Sequence, residues 1–300
     1  MEFAERYFTT EGIQFLFHGA SALYVFVILI ILYVGKIIYD YTTPFNLSEQ
    51  LTTEDNKAVA LSFAGFLAAV GFILWGVLSS PAEVRSLWGD IWNTMLWGLI
   101  GIVLMQIARW SCERFILYKF NLNKELVTDH NVGTGAVLAG VYAGSGLVIM
   151  GAISDDGSGL AYTFMQDLVG TLVFFIFGQL AFILFGIIYQ YIVRFDLHDE
   201  IERDNISAGV AFGMSVLAIG ILLSGYIYYS WSLPGLFIWF ILSTIMLMMF
   251  RYLVDKLILP GTLLDEEIAR DQNWGAALLE GSMAIILALI LNAAFLYDLI

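Results

Sequence analysis

Cysteine, histidine and charge are all scarce in this chain of 300 residues. Cys112 is the single cysteine, which excludes an internal disulfide and implies no redox role. The three histidines, His18, His130 and His198, are far apart and lack metal-ligand spacing, so no metal site is expected. No His-Glu-x-x-His helix, Gly-x-Ser-x-Gly elbow or Gly-x-x-x-x-Gly-Lys loop occurs, so neither an enzyme nor a cofactor is expected. The N-terminal Met1-Glu2-Phe3-Ala4-Glu5-Arg6 lacks a basic region and a cleavage site, and a cleaved signal peptide is not expected there. Charged residues make up 13% of the chain, and the net charge of −14 argues against nucleic acid as a partner.

Long apolar runs are what the sequence has in excess. It is 60% hydrophobic with a mean hydropathy of +0.82, which excludes an ordinary soluble domain. Eight stretches reach the roughly 20 residues needed to cross a bilayer. They lie near 13–35, 57–78, 91–117, 131–153, 165–193, 206–229, 233–259 and 274–297. The fold class is therefore all-α integral membrane, with the lipid bilayer as the first partner. Eleven of the thirteen Lys and Arg residues fall on the side of the loops at 36–56, 118–130, 194–205 and 260–273. Only Arg6 and Arg85 fall on the other. The excess predicts that these loops face the cytoplasm and both termini the periplasm.

One unit recurs four times. An acid/Asn turn opens a Gly/Ala-rich run at Asn56, Asn131, Asn205 and Asn273, separated by 75, 74 and 68 positions. Four positions on from each Asn stand Ala60, Gly135, Gly209 and Ala277. Eight on stand Ala64, Ala139, Gly213 and Gly281; fifteen on stand Gly71, Gly146, Gly220 and Ala288. These offsets fall within about 40° of one another on a helix, one stripe of small residues that admits a second backbone. The expected architecture is eight transmembrane helices as four parallel tandem hairpin repeats, at 1–79, 80–154, 155–230 and 231–300. The stripe is satisfied either by four repeats closing one bundle or by pairing of subunits into a homo-oligomer.

The loops echo one another in Phe45-Asn46-Leu47, Phe120-Asn121-Leu122 and Phe195-Asp196-Leu197, each followed by an acid: Glu49, Glu125 and Asp199. The fourth loop departs, reading Leu259-Pro260-Gly261 before Asp265-Glu266-Glu267. With its four acid/Asn turns and Gly-rich helices, nearly the whole chain resembles the YjfL-like bacterial inner-membrane proteins of unknown function. The resemblance implies a bacterial inner membrane and brings no catalytic residues.

Four groups of residues could carry chemistry. Asp55, Asp129, Asp204 and Asp271 sit with their Asn residues where the Gly/Ala helices begin, which suits N-capping. Four converging helix N-termini forming a cation site is the sharper alternative. Lys36 and Asp40, Arg109 and Glu113, and Arg251 and Asp255 are each four residues apart and so face one side of a helix. Glu280 stands seven positions into the last Gly/Ala helix, where the other copies carry Phe63, Leu138 and Phe212. An acid within a span is costly, so it is either functional or paired with a neighbour such as Arg251. Gln106, Gln179, Asn93 and Asp167 read as interhelical or interfacial polar groups.

The leading expectation is an ion or small-solute channel or transporter with its pathway near the repeat axis. Glu280 would bind or relay the cation, which the four aspartates would attract. The rival is a non-transporting scaffold that docks a basic cytoplasmic protein, as in an envelope-stress complex, through the acidic loops at 196–204 and 265–271.

Overall fold

The computed structural model describes residues 19–80, 86–154, 163–258 and 261–296. Arg6, His18 and Arg85 lie outside them. Every regular element among the described residues is helical. Four flanking helices, α1 (Gly19–Thr42), α4 (Leu87–Ser111), α6 (Phe164–Ile192) and α9 (Leu233–Leu257), alternate with four Gly/Ala helices. The latter are α3 (Lys57–Ser79), α5 (Val132–Ile153), α8 (Ile206–Tyr229) and α10 (Trp274–Phe295). All eight are long and apolar enough to cross a membrane. The turns between them hold short helices, α2 (Leu47–Thr52) and α7 (Leu197–Glu202), or π-helical turns at Lys124–Thr128 and Glu266–Arg270.

Each Gly/Ala helix starts in the same way. The residue before the Asn is left-handed: Asp55 at φ 48°, His130 at 52°, Asp204 at 63° and Gln272 at 48°. Asp and His tolerate this region better than most side chains. The left-handed residue ends the short turn and aims the chain into the next helix, which the Asn then caps. The Asn side chains accept from Val59, Thr134, Ala208 and Ala276 N–H groups at 3.1, 3.0, 3.3 and 3.2 Å.

The Gly/Ala helices pack side by side in the order α3, α5, α8, α10, and each flanking helix from α4 onward lies against two neighbouring members of that row. Contact is backbone to backbone. A Cβ added to Gly146 would stand 2.5 Å from Ala69 Cα, and one on Gly140 would stand 2.7 Å from the carbonyl carbon of Gly213. Such closeness yields dispersion contact that larger side chains would forbid. The middle helices are the most enclosed, 83% of the span being buried in α5 and 72% in α8, against 17% in α1 and 22% in α10.

The row is open. α3 and α10 occupy its two ends and make no substantial contact, so the helix N-termini lie along a line and do not converge. This corrects the expectation of a cation site or pathway on a central repeat axis. Backbones that nearly touch leave no lumen between successive Gly/Ala helices.

Candidate functional site

Two polar systems stand out, one along the turns and one inside the membrane-spanning part. In the turns, each Asn amide donates to a side chain of its own turn: Gln50, Glu125, Glu200 or Glu267, at 2.7 to 2.9 Å. The second amide hydrogen crosses to the next turn. Asn56 reaches the Leu126 carbonyl at 2.8 Å, Asn131 that of Ile201, and Asn205 that of Ile268 at 2.8 Å. Asn56, Asn131 and Asn205 are buried, whereas Asn273 at the end of the row is exposed. Lys119 adds a bridge between the second and third turns, to Asp196 at 2.7 Å and Asp199 at 3.2 Å. Its ammonium holds the Asp196 carboxyl below the usual carboxylate range. His198 Nε2 lies 2.8 Å from the Ile116 carbonyl, and burial pushes that imidazole down.

The aspartates of the turns have different surroundings. Asp129 is held by Lys124 at 2.6 Å and Asp271 by Arg270 at 2.8 Å. Asp204 lies near Asp129 of the preceding turn, and burial, with the Asp129 charge adding to it, pushes the Asp204 carboxyl up. Asp55 and Asp204 are themselves the left-handed residues. Capping is done by the Asn side chains.

The second system joins three helices. Arg251 of α9 donates from Nε to Glu280 Oε1 at 2.7 Å and from Nη2 to Asp265 Oδ1 at 2.8 Å. Tyr189 of α6 donates its hydroxyl to the same Glu280 oxygen at 2.9 Å, and the guanidinium lies 5.9 Å from the Tyr189 ring centre. Arg194, which is exposed, comes within 4.0 Å of Asp265 and extends the series to the surface. A narrow cleft with about 20 Å³ of room for water adjoins the pair, lined by Phe185, Tyr189, Leu247, Phe250 and Met283 among others. Glu280 is 4% exposed, so its charge is tolerable only because Arg251 answers it.

A related arrangement without the carboxylates occurs earlier in the chain. Arg109, like Arg251, stands twenty-two positions before its cap Asn. It lies 5.8 Å from the Tyr39 ring centre and donates to Asn123 at 2.6 Å, where Arg251 has Asp265. Leu138 stands at the position of Glu280.

The charge pairs expected at i,i+4 need correction. Lys36 meets Asp40 at 3.4 Å. Arg109 has no carboxylate within 4.0 Å among the described residues, and Arg251 bypasses Asp255 for Glu280 and Asp265. Asp255 instead accepts from the Leu264 N–H at 2.7 Å, as Asp40 does from Leu47 at 2.7 Å. Loop N–H groups compete for these carboxylates, which spacing on one helix could not reveal. Gln179 bonds Ser145 at 2.9 Å and Gln106 accepts from Thr42 at 2.9 Å, both between helices. Tyr189 and Gln50 were not singled out in the sequence, and Asp265, Glu200 and Glu267 were read only as acids of the loops. The near-constant offset of five or six positions before each Asn could have revealed Gln50, Glu200 and Glu267 together with Glu125.

A family model described as Domain of Unknown Function (DUF350) matches residues 10–153 and 163–295. The chain is also similar to a UPF0719 transmembrane protein of Aquifex aeolicus (strain VF5), 19% identical over 253 residues, which cover 82% of this chain and 89% of that one. No solved structure matches.

Proposed function

Because the chain belongs to the DUF350 family of multi-pass membrane proteins, whose description assigns no activity, we propose a function from its geometry: a non-enzymatic membrane scaffold that docks a basic protein. The observation that carries this reading is the line of turns locked edge to edge by the Asn amides. The lock fixes the spacing of carboxylates from hairpin to hairpin, including the neighbouring Asp129 and Asp204. Asp129 is already answered by Lys124 at 2.6 Å, and the Asp204 charge near it is left for a Lys or Arg side chain of a partner to answer. In this reading the turns face the cytoplasm, the membrane is the bacterial inner membrane, the chain is YjfL-like, and the hairpin units follow the boundaries given above.

The test is affinity capture from native membranes with wild type beside Asp129→Lys/Asp204→Lys. The expected result is a stoichiometric, salt-sensitive partner lost in the variant while its melting temperature is kept. The same captured set with both proteins would overturn the reading.

Transport is the second reading, favoured by the Glu280–Arg251–Tyr189 cluster and its cleft. Its route would lie among α6, α8, α9 and α10, away from any central axis. Arg251 must release Glu280 before a cation can bind there. Flux of protons, potassium or sodium into proteoliposomes, lost in Glu280→Gln with folding intact, would establish it and displace the scaffold.

A further inference from the structure

The first two junctions within the row follow one rule, and the third keeps its middle pair. The later helix presents the positions four, eight and fifteen after its cap Asn, and the earlier one presents those two, nine and thirteen after its own. Gly135 and Gly146 of α5 thus lie on Ala58 and Ala69 of α3, and Gly209 and Gly220 of α8 lie on Gly133 and Gly144 of α5. Gly281 of α10 lies on Met214 of α8.

Both ends of the row carry an unused half of this junction. On α3, Ala60, Ala64 and Gly71 stand at four, eight and fifteen, and all three are exposed. A Cβ on Gly71 would meet nothing within 4 Å. On α10, Gly275, Ser282 and Ile286 stand at two, nine and thirteen, and Ile286 is 48% exposed. The pairing of fifteen with thirteen seen at Gly146–Ala69 and Gly220–Gly144 would place the Ile286 side chain in the gap over Gly71.

The turns end in the same unfinished way. Among the described residues Asn273 donates to its own Glu267 but reaches no neighbouring carbonyl, the bond that Asn56, Asn131 and Asn205 each make. At the other end, Leu51 stands five residues before Asn56, as Leu126 does before Asn131, and no Asn donates to its carbonyl among the described residues. Donor and acceptor lie at opposite ends of the row and on its turn side.

We propose that a second copy of this chain docks the outer face of α3 against the outer face of α10, continuing the row with Ile286 over Gly71 and Asn273 bonded to the Leu51 carbonyl. The occupant follows from continuity with the interface already made twice in full and once at its middle pair, and the direction is head to tail. Copies related this way keep the same orientation in the membrane, so the contact is heterologous and generates a ring or an open row. It does not depend on the docking function proposed above.

The experiment uses the full chain in native membranes, with Cys112→Ser as background. Gly71→Cys and Ile286→Cys are placed on separately tagged copies, co-expressed and oxidised. The expected result is a crosslinked dimer carrying both tags, several-fold more abundant than either same-tag dimer. Equal same-tag dimers would overturn the head-to-tail contact, and so would the absence of any crosslink. A second measurement is the native mass in nanodiscs of wild type beside Gly71→Leu. The variant should shift to the single-copy mass with its melting temperature unchanged, because its side chain enters open space. A wild type of single-copy mass, or an unshifted Gly71→Leu, would also overturn the proposal.

Discussion

Arg251 and Glu280 meet across the last two long helices, Nε to Oε1 at 2.7 Å, and both side chains are more than nine-tenths buried. The pair ties α9 to α10 at the end of the row, where α10 is otherwise little enclosed. Removing one partner strands the other charge. Glu280→Gln should therefore destabilise the protein by about 3–5 kcal/mol, whereas Arg251→Met/Glu280→Leu should recover much of that loss. Unfolding in detergent across the double-mutant cycle checks this. A double-variant loss equal to the sum of the two single losses would show that the pair adds no coupling.

The turn network predicts an asymmetry among four similar asparagines. Loss of a cap alone costs about 1 kcal/mol. Asn131→Ala should cost more, about 2–4 kcal/mol, since it also leaves buried Glu125 and the Ile201 carbonyl without a donor. Asn273→Ala should cost only about the cap, because among the described residues its amide crosses to no other turn. Equal losses measured by thermal unfolding would mean that the crossing bonds contribute little.

The same asymmetry extends to the glycines. Gly140→Ala would force a methyl onto the Gly213 backbone, which cannot swing aside as a side chain could. Overpacking of this kind costs about 1–3 kcal/mol. Gly71→Ala, with nothing of its own chain within 4 Å, should be neutral or slightly stabilising to a single copy through higher helix propensity. Melting temperatures of the two variants in the same detergent decide the matter.

How much of this was legible in the sequence depended on whether the signal was periodic. Spans and the stripe at Gly135, Ala139 and Gly146 follow from composition and helical spacing, and so do the four Asn caps. The stripe could not show that α5 and α8 each use a second face, with Gly133, Gly140 and Gly144 on α5, so it left closure of one bundle and pairing of subunits equally open where the structure has an open row. Glu280 announced itself by being an acid in a span. Its partner Tyr189 and the second acceptor of Arg251, Asp265, come from another helix and from the turn before α10, which no spacing along one helix can report. The left-handed residues were missed because Asp55, His130, Asp204 and Gln272 share no side-chain chemistry, only a place in the turn.

Glu125 supplies a test in pH. Its carboxyl is buried and accepts from Asn131 Nδ2 at 2.8 Å; burial pushes it up, and the Asn131 bond only partly offsets this. The folded protein therefore binds a proton at Glu125 more readily than the unfolded chain does. Between the usual carboxylate value and the raised one, this residue's contribution to stability falls as pH rises. In acid the neutral carboxyl still accepts the bond; at neutral pH the buried charge opposes folding. The first turn carries Gln50 in this role, a neutral side chain bonded to Asn56 at 2.7 Å. Glu125→Gln should consequently melt with wild type in acid and above it at neutral pH, the gain growing as the pH passes through the raised value. A variant that melts lower at neutral pH would mean that the ionised bond to Asn131 outweighs the burial of the charge.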